Sequence, residues 1–160
     1  MKLSPLGVKW MMNLYPPLLF NRIVVQEISP DFLYARVLIK KSFLNRNLNG
    51  TIFGGTLFSA ADPFFSVLYW QIFLRKKTRM EAWVRAIEGN YFKPANSNIT
   101  LEFKLTIQDI EEAEIMVDKE GRIKKWHIIN LVNDKGEVCV EFKILVYMRK
   151  AKSGKDKSVF

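Results

Sequence analysis

The chain has 160 residues, enough for one domain with a sizeable core, and its 49% hydrophobic and 26% charged residues make a globular composition. Its 25 Lys and Arg against 16 Asp and Glu give a net charge of +9, concentrated toward the front: positions 1–80 hold 11 basic and 3 acidic residues, positions 81–160 hold 14 and 13. A lone cysteine, Cys139, excludes an intrachain disulfide, and a lone histidine, His127, argues against a Cys/His metal site.

The basic excess favours an anionic partner: nucleic acid, acidic lipid or a phosphorylated small molecule. No zinc spacing, aromatic RNA-binding signature or uninterrupted basic helix accompanies it, so a nucleic-acid partner is not expected. At the front, Lys9 interrupts the apolar run and no small-residue cleavage site follows. The expectation is a soluble, cytoplasmic protein without stable membrane insertion, a single domain over 1–150 and a flexible basic tail over 151–160.

In chain order, Ser4-Pro5 is a helix start, with Ser as N-cap and Pro at the first helical position. Leu6, Trp10 and Leu14 give helical spacing within an N-terminal segment over 1–18, and Pro16-Pro17 is expected to stop it. Packing over an edge of the core is its plain reading, and membrane contact the alternative. Arg22–Ser29 reads as a strand, Pro30-Asp31 as a turn, and Phe32–Lys40 as a second strand. Ser42–Phe53 is a loop heavy in Asn and Gly.

Gly54 to about Leu74 is apolar on all sides, which implies a helix wrapped by other structure, ended by Arg75-Lys76-Lys77. Asp62 is the only acid between Phe32 and Met80. A carboxylate buried in such a run needs a partner or a task.

Strands follow at Glu81–Phe92 and Ile99–Ile107, with a turn at Pro94–Asn98. Gln108–Asp118 reads as a short acidic helix or as strand. Arg122–Asn133 and Glu137–Arg149 form a hairpin, with Val138, Val140, Phe142, Ile144 and Val146 on one face and Cys139, Glu141, Lys143 and Tyr147 on the other. An α+β domain with an antiparallel sheet wrapped around one long central helix accommodates this order, with a short helix at the N-terminus.

The chain resembles the hotdog-fold acyl-CoA thioesterases on three segments. The first is Asn47, then Gly54-Gly55, then Ala60-Ala61-Asp62; the second is Asn90-Tyr91-Phe92-Lys93-Pro94-Ala95; the third is the closing hairpin from Lys135 to Lys150. The resemblance is to the group of phenylacetyl-CoA thioesterases and thioesterase superfamily member 2, and a branch of hotdog domains of unassigned function shares the Asp-Pro pair. The resemblance implies the hotdog fold and hydrolysis of an acyl-CoA, with coenzyme A as part of the substrate and no other cofactor or metal; the aromatic density favours a fatty or aryl acyl group over a very short polar one. It implies a homodimer, or a tetramer built as a dimer of dimers. It places Asn47 as the residue that orients substrate or water, and the N–H of Gly54, with Gly55, as the oxyanion binder. Asp62 takes the place of the general base or nucleophile. Phe53, Phe58, Trp83, Val84 and Lys93 become candidate substrate contacts.

Each role has a physical basis. A helix N-terminus presents unpaired N–H groups to a developing oxyanion, and an acid against an apolar wall gains basicity. Gly54 and Asp62 lie about 12 Å apart along one helix, so one chain cannot bring both to one thioester carbon. Two antiparallel copies can.

Three residues depart from the pattern. Phe53 stands where relatives carry His, Val84 where many carry Ser or Thr, and Pro63 follows the acid directly. Asp62-Pro63 is also a good N-cap and N1 pair, so Asp62 could cap a helix from Pro63 to Leu74. Among Phe53, Phe58, Phe64, Phe65, Tyr69 and Trp83, core packing competes with lining an acyl tunnel. Lys40, Lys41, Arg75, Lys76, Lys77, Arg79 and Lys93 are candidates for the phosphates of coenzyme A, or plain solvated charges. Hotdog dehydratases need a His near the helix, and none is there. A non-catalytic acyl-binding dimer and a basic interaction module for nucleic acid or membrane remain the alternatives.

Overall fold

The computed structural model describes residues 2–151. The expected tail lies outside them apart from Ala151, whose N–H donates to the Arg79 carbonyl.

Ser4 caps α1 (Pro5–Leu14), its hydroxyl accepting from the Gly7 N–H at 3.0 Å. The Asn13 side chain pins this helix to the sheet, donating to the Val25 carbonyl and accepting from the Val25 N–H at 2.7 Å. The expected stop at Pro16-Pro17 holds, α1 ending at Leu14, and the pair also opens a short α2 (Pro16–Phe20), because proline suits the first helical turn.

The strands are β1 (Ile23–Ile28), β2 (Tyr34–Ile39), β3 (Met80–Tyr91), β4 (Ile99–Lys104), β5 (Arg122–Asn133) and β6 (Val138–Lys150). They form one antiparallel sheet in the order β1-β2-β4-β5-β6-β3, so β1 and β3 are its two edges. The ambiguous acidic stretch is a helix, α5 (Ile107–Glu120). A reciprocal box between Thr106 and Asp109 caps its start, and Gly121, at φ 72°, ends it in the left-handed region. Alternation on β6 holds except at Cys139, expected outside but fully buried.

Two helical segments, α3 (Gly54–Ala61) and α4 (Pro63–Arg75), run end to end with a bend at Asp62. Their inner face fills the curve of the sheet: Phe64 and Phe65 meet Phe103 at ring distances of 4.9 and 5.1 Å, and Tyr69 and Phe73 are fully buried. By length and composition Gly54–Arg75 is long and apolar enough to cross a membrane; here it is the core helix. It is not wrapped all round, because Phe53, Phe58 and Asp62 remain exposed along one side.

Candidate active site

The loop before α3 is built by asparagines. Asn45 is buried; its Nδ2 donates to the Asn21 and Lys40 carbonyls, and its Oδ1 accepts from the Ser42 N–H. The Ile52 N–H donates to the Ala95 carbonyl and the Phe53 N–H to the Asn45 carbonyl, both at 2.8 Å. These contacts fix where α3 starts.

That start carries no side-chain cap: Phe53 occupies the N-cap position in extended backbone and offers no acceptor. The Gly54 and Gly55 N–H groups have no hydrogen-bond partner among the described residues. Close approach of the Phe53 ring, rather than φ, favours glycine at 55, while a Cβ at 54 would make ordinary contact. A Cβ on Gly55 would lie 2.4 Å from the Phe53 ring, which folds over the first turn, and one on Gly54 would lie 3.4 Å from the Tyr91 hydroxyl. Desolvation pushes the Tyr91 pKa up, and its ring meets Phe142 edge-on at 6.1 Å. Phe142 in turn packs on Phe58 at 4.7 Å. An aromatic wall of Tyr91, Phe142 and Phe58 therefore runs from the open N–H groups toward the turn that holds the acid.

Asp62 follows Phe58 by one turn. Its backbone is helical, at φ −64° and ψ −56°, its N–H donates to the Phe58 carbonyl at 3.1 Å, and its side chain makes no cap. The N-cap alternative is thus overturned, because a capping residue needs extended backbone and a side-chain bond to the next turn. Pro63 lacks an N–H, which leaves the Ser59 carbonyl without its helical donor and puts the bend at the acid. Contrary to the expectation of burial, Asp62 is exposed in the single chain. Its carboxyl has no hydrogen bond or ion pair among the described residues, and desolvation by its surroundings pushes its pKa above the ordinary value.

Ser66, one turn beyond Asp62, escaped the sequence analysis. Among the described residues its Oγ is the only buried side-chain polar atom without a hydrogen bond, whereas Ser59 bonds back to the Gly55 carbonyl at 2.9 Å. Ser66 lines a groove between α4 and β3 together with Val67, Trp70 and Ala82. Its spacing of four from Asp62 was the available signal. Tyr91 was missed because only packing brings it to Gly54.

The remaining candidates separate. Asn47 shares a surface groove with Phe53, Phe43 and Leu48, but its side chain is used by its own turn. Its Nδ2 donates to Thr51 Oγ1 at 2.9 Å, and its Oδ1 accepts from the Asn49 and Thr51 N–H groups. Trp83 stacks on Tyr147 at 6.1 Å beneath Arg149, while Val84, next in the strand, packs against the core, so the two serve opposite sides of β3. Lys93 pairs with Glu137 at 2.5 Å. Of the other cations, Arg75 bonds Gln71 and lies over Phe32, Lys76 pairs with Glu114 and Lys41 bonds Asn96. Phe64, Phe65 and Tyr69 are core, whereas Phe53, Phe58 and Trp83 are exposed. His127 is buried under α5, stacked on Phe65 and 3.2 Å from the Tyr69 hydroxyl, away from the helix start.

Residues 6–148 match the model of DUF4442, a domain of unknown function. The chain belongs to the DUF4442 family. No curated protein matches it by sequence. Solved structures establish the hotdog fold of this DUF4442 domain. A Pseudomonas aeruginosa protein of unknown function, described as a probable thioesterase, is 20% identical at a TM-score of 0.76, covering 92% of this chain and 99% of that one. A Haemophilus influenzae thioesterase is 9% identical at 0.68, covering 98% and 97%. The PaaI protein of the Escherichia coli phenylacetic acid degradation operon is 19% identical at 0.59, covering 82% and 87%. The fold expectation and the resemblance to hotdog thioesterases both hold.

Proposed function

We propose that this DUF4442 protein is a cytoplasmic thioesterase that hydrolyses a fatty or aryl acyl-CoA at a site shared by two copies of the chain. One observation carries the reading: a helix whose first two N–H groups are unpaired is followed, two turns on, by an unpartnered carboxyl with a raised pKa. Gly54 and Gly55 bind the thioester oxygen as it becomes an oxyanion. Asp62 of the other copy removes a proton from water as its oxygen attacks the carbonyl carbon. Collapse of the intermediate expels the coenzyme A thiolate, which takes the proton back from Asp62. Phe58, Phe53 and Tyr91 line the acyl path. Ser66 holds the attacking water on the side where Val84 offers no hydroxyl, and so acts as a positioning residue. Asn47 orients the reactants once its turn opens to substrate. The unpaired outer edge of β3 and the exposed side of α3 and α4 supply a surface for the second copy.

Purified protein incubated with short, long and phenylacetyl CoA thioesters is expected to release free thiol, and Asp62→Asn to release almost none while melting and eluting as wild type. A folded dimer that turns over no thioester in the panel defeats the reading, and so does a monomer at micromolar concentration with full activity. The engagement of Asn47 in its own turn favours one second reading, an acyl-CoA-binding dimer without turnover; calorimetry showing tight binding with no thiol release would establish it.

A further inference from the structure

A large apolar surface lies outside the proposed site. Within α1 only Val8 and Met12 are buried. The opposite side presents Leu6, Trp10 and Leu14 at 62%, 57% and 65% exposure, and Tyr15, Leu19 and Phe20 continue it through α2. A soluble chain rarely leaves so many large apolar side chains together in water without a use for them.

Charge identifies the occupant. Between Lys2 and Gln26 the sequence has three cations and no acid. A groove beside α1 brings Lys9, Arg22 and Lys40 to the rim of Trp10, Leu14 and Leu19, again with no acid in its lining. Among the described residues Lys9 bonds only the neutral Gln26 carbonyl and pairs with no acid. A second copy docked through this same face would bring like charges together, whereas an anionic surface would be attracted. Position supports the same choice: α1 packs on β1, the sheet edge opposite β3, so a dimer through β3 leaves this surface open.

We propose that the α1–α2 segment docks the protein on an anionic phospholipid bilayer. The segment lies in the plane of the interface. At 10 residues α1 spans about 15 Å, half of what a crossing needs. Trp10 and Leu14 enter the boundary between headgroups and acyl chains, with Lys9, Arg22 and Lys40 against lipid phosphates. Docking does not depend on thioester hydrolysis.

The test is sedimentation of the full chain with vesicles of phosphatidylcholine alone or with added phosphatidylglycerol. Wild type should bind the anionic vesicles at least about tenfold more tightly, and Trp10→Glu/Leu14→Glu should lose about tenfold or more with its melting temperature unchanged. Equal sedimentation of the double variant and wild type would overturn the proposal, since charge elsewhere would then suffice. A double variant that is a smaller oligomer than wild type would also overturn it, showing a second copy on this face. If the double variant does not fold, lipids brominated along the acyl chain decide: they should quench wild-type tryptophan fluorescence more than that of Trp10→Phe, and equal quenching sinks the proposal.

Discussion

The helices α3 and α5 begin in opposite ways within one chain. At α5 every means of closing a helix start is present: the Thr106 hydroxyl accepts from the Asp109 N–H, and the Asp109 carboxylate accepts from the Thr106 N–H at 2.7 Å. Lys125 pairs with that carboxylate at 2.8 Å and also with Glu112. At α3 a phenylalanine stands in the cap position, two glycines follow, and the N–H groups stay open. The acids differ likewise. Desolvation raises the Asp109 pKa, but the hydrogen bonds from Lys125 and Thr106 outweigh it and the net shift is downward. Asp62 has desolvation alone and moves up. One start is closed by side chains; the other carries no side-chain cap among the described residues.

The largest expected effect breaks the α3 side. Asp62→Asn should cut thiol release by about a thousandfold or more. A carboxyl whose pKa is raised on folding costs stability once pH exceeds its unfolded value, so the same variant should melt no lower than wild type near neutral pH. Loss of both activity and melting temperature would make Asp62 structural. Activity itself should rise with pH through a limb above the ordinary carboxylate range, and a limb near pH 4 would contradict the raised pKa.

Next in size is a pH effect on the α5 side. Desolvation depresses the His127 pKa to about 4. The unfolded chain binds the proton first, so stability present above about pH 6.5 is lost as pH falls toward 4, by up to about 3 kcal/mol. Melting curves at both pH values should show His127→Gln losing less on acidification than wild type.

Ser66→Ala is smaller. It should lower kcat about ten- to a hundredfold with KM little changed, while adding Val84→Ser restores part of the loss. Removing an unpaired buried hydroxyl should leave the melting temperature unchanged or higher. An unchanged kcat in a working wild-type enzyme rejects the role of Ser66 and leaves the thioesterase reading standing. Smallest is Thr106→Ala, which should cost about 1 kcal/mol in denaturant titration without altering turnover.

The strands and the apolar helix were legible because alternation and continuous hydrophobicity record burial directly. The acidic stretch at 108–118 was not settled, because the signals that make it a helix lie outside it, at Thr106 and Gly121. Gly54 and Asp62 stood out as a glycine pair and a lone acid. Asn47 was a candidate by resemblance alone, but its side chain is tied into the turn it starts, a local bond that composition does not reveal.

By itself the sequence determined the periodicities, the charge excess, the helix starts at Ser4 and Gly54, and the eight-residue interval that bars Gly54 and Asp62 of one chain from a common substrate. Tertiary structure alone decided that Asp62 stays helical despite Pro63, that the Ser66 hydroxyl lacks a partner, that Tyr91 reaches Gly54, and that α1 leaves Trp10 uncovered. Periodicity and spacing follow from covalent geometry along one chain, whereas exposure, pairing and desolvation depend on which distant residues the fold brings alongside.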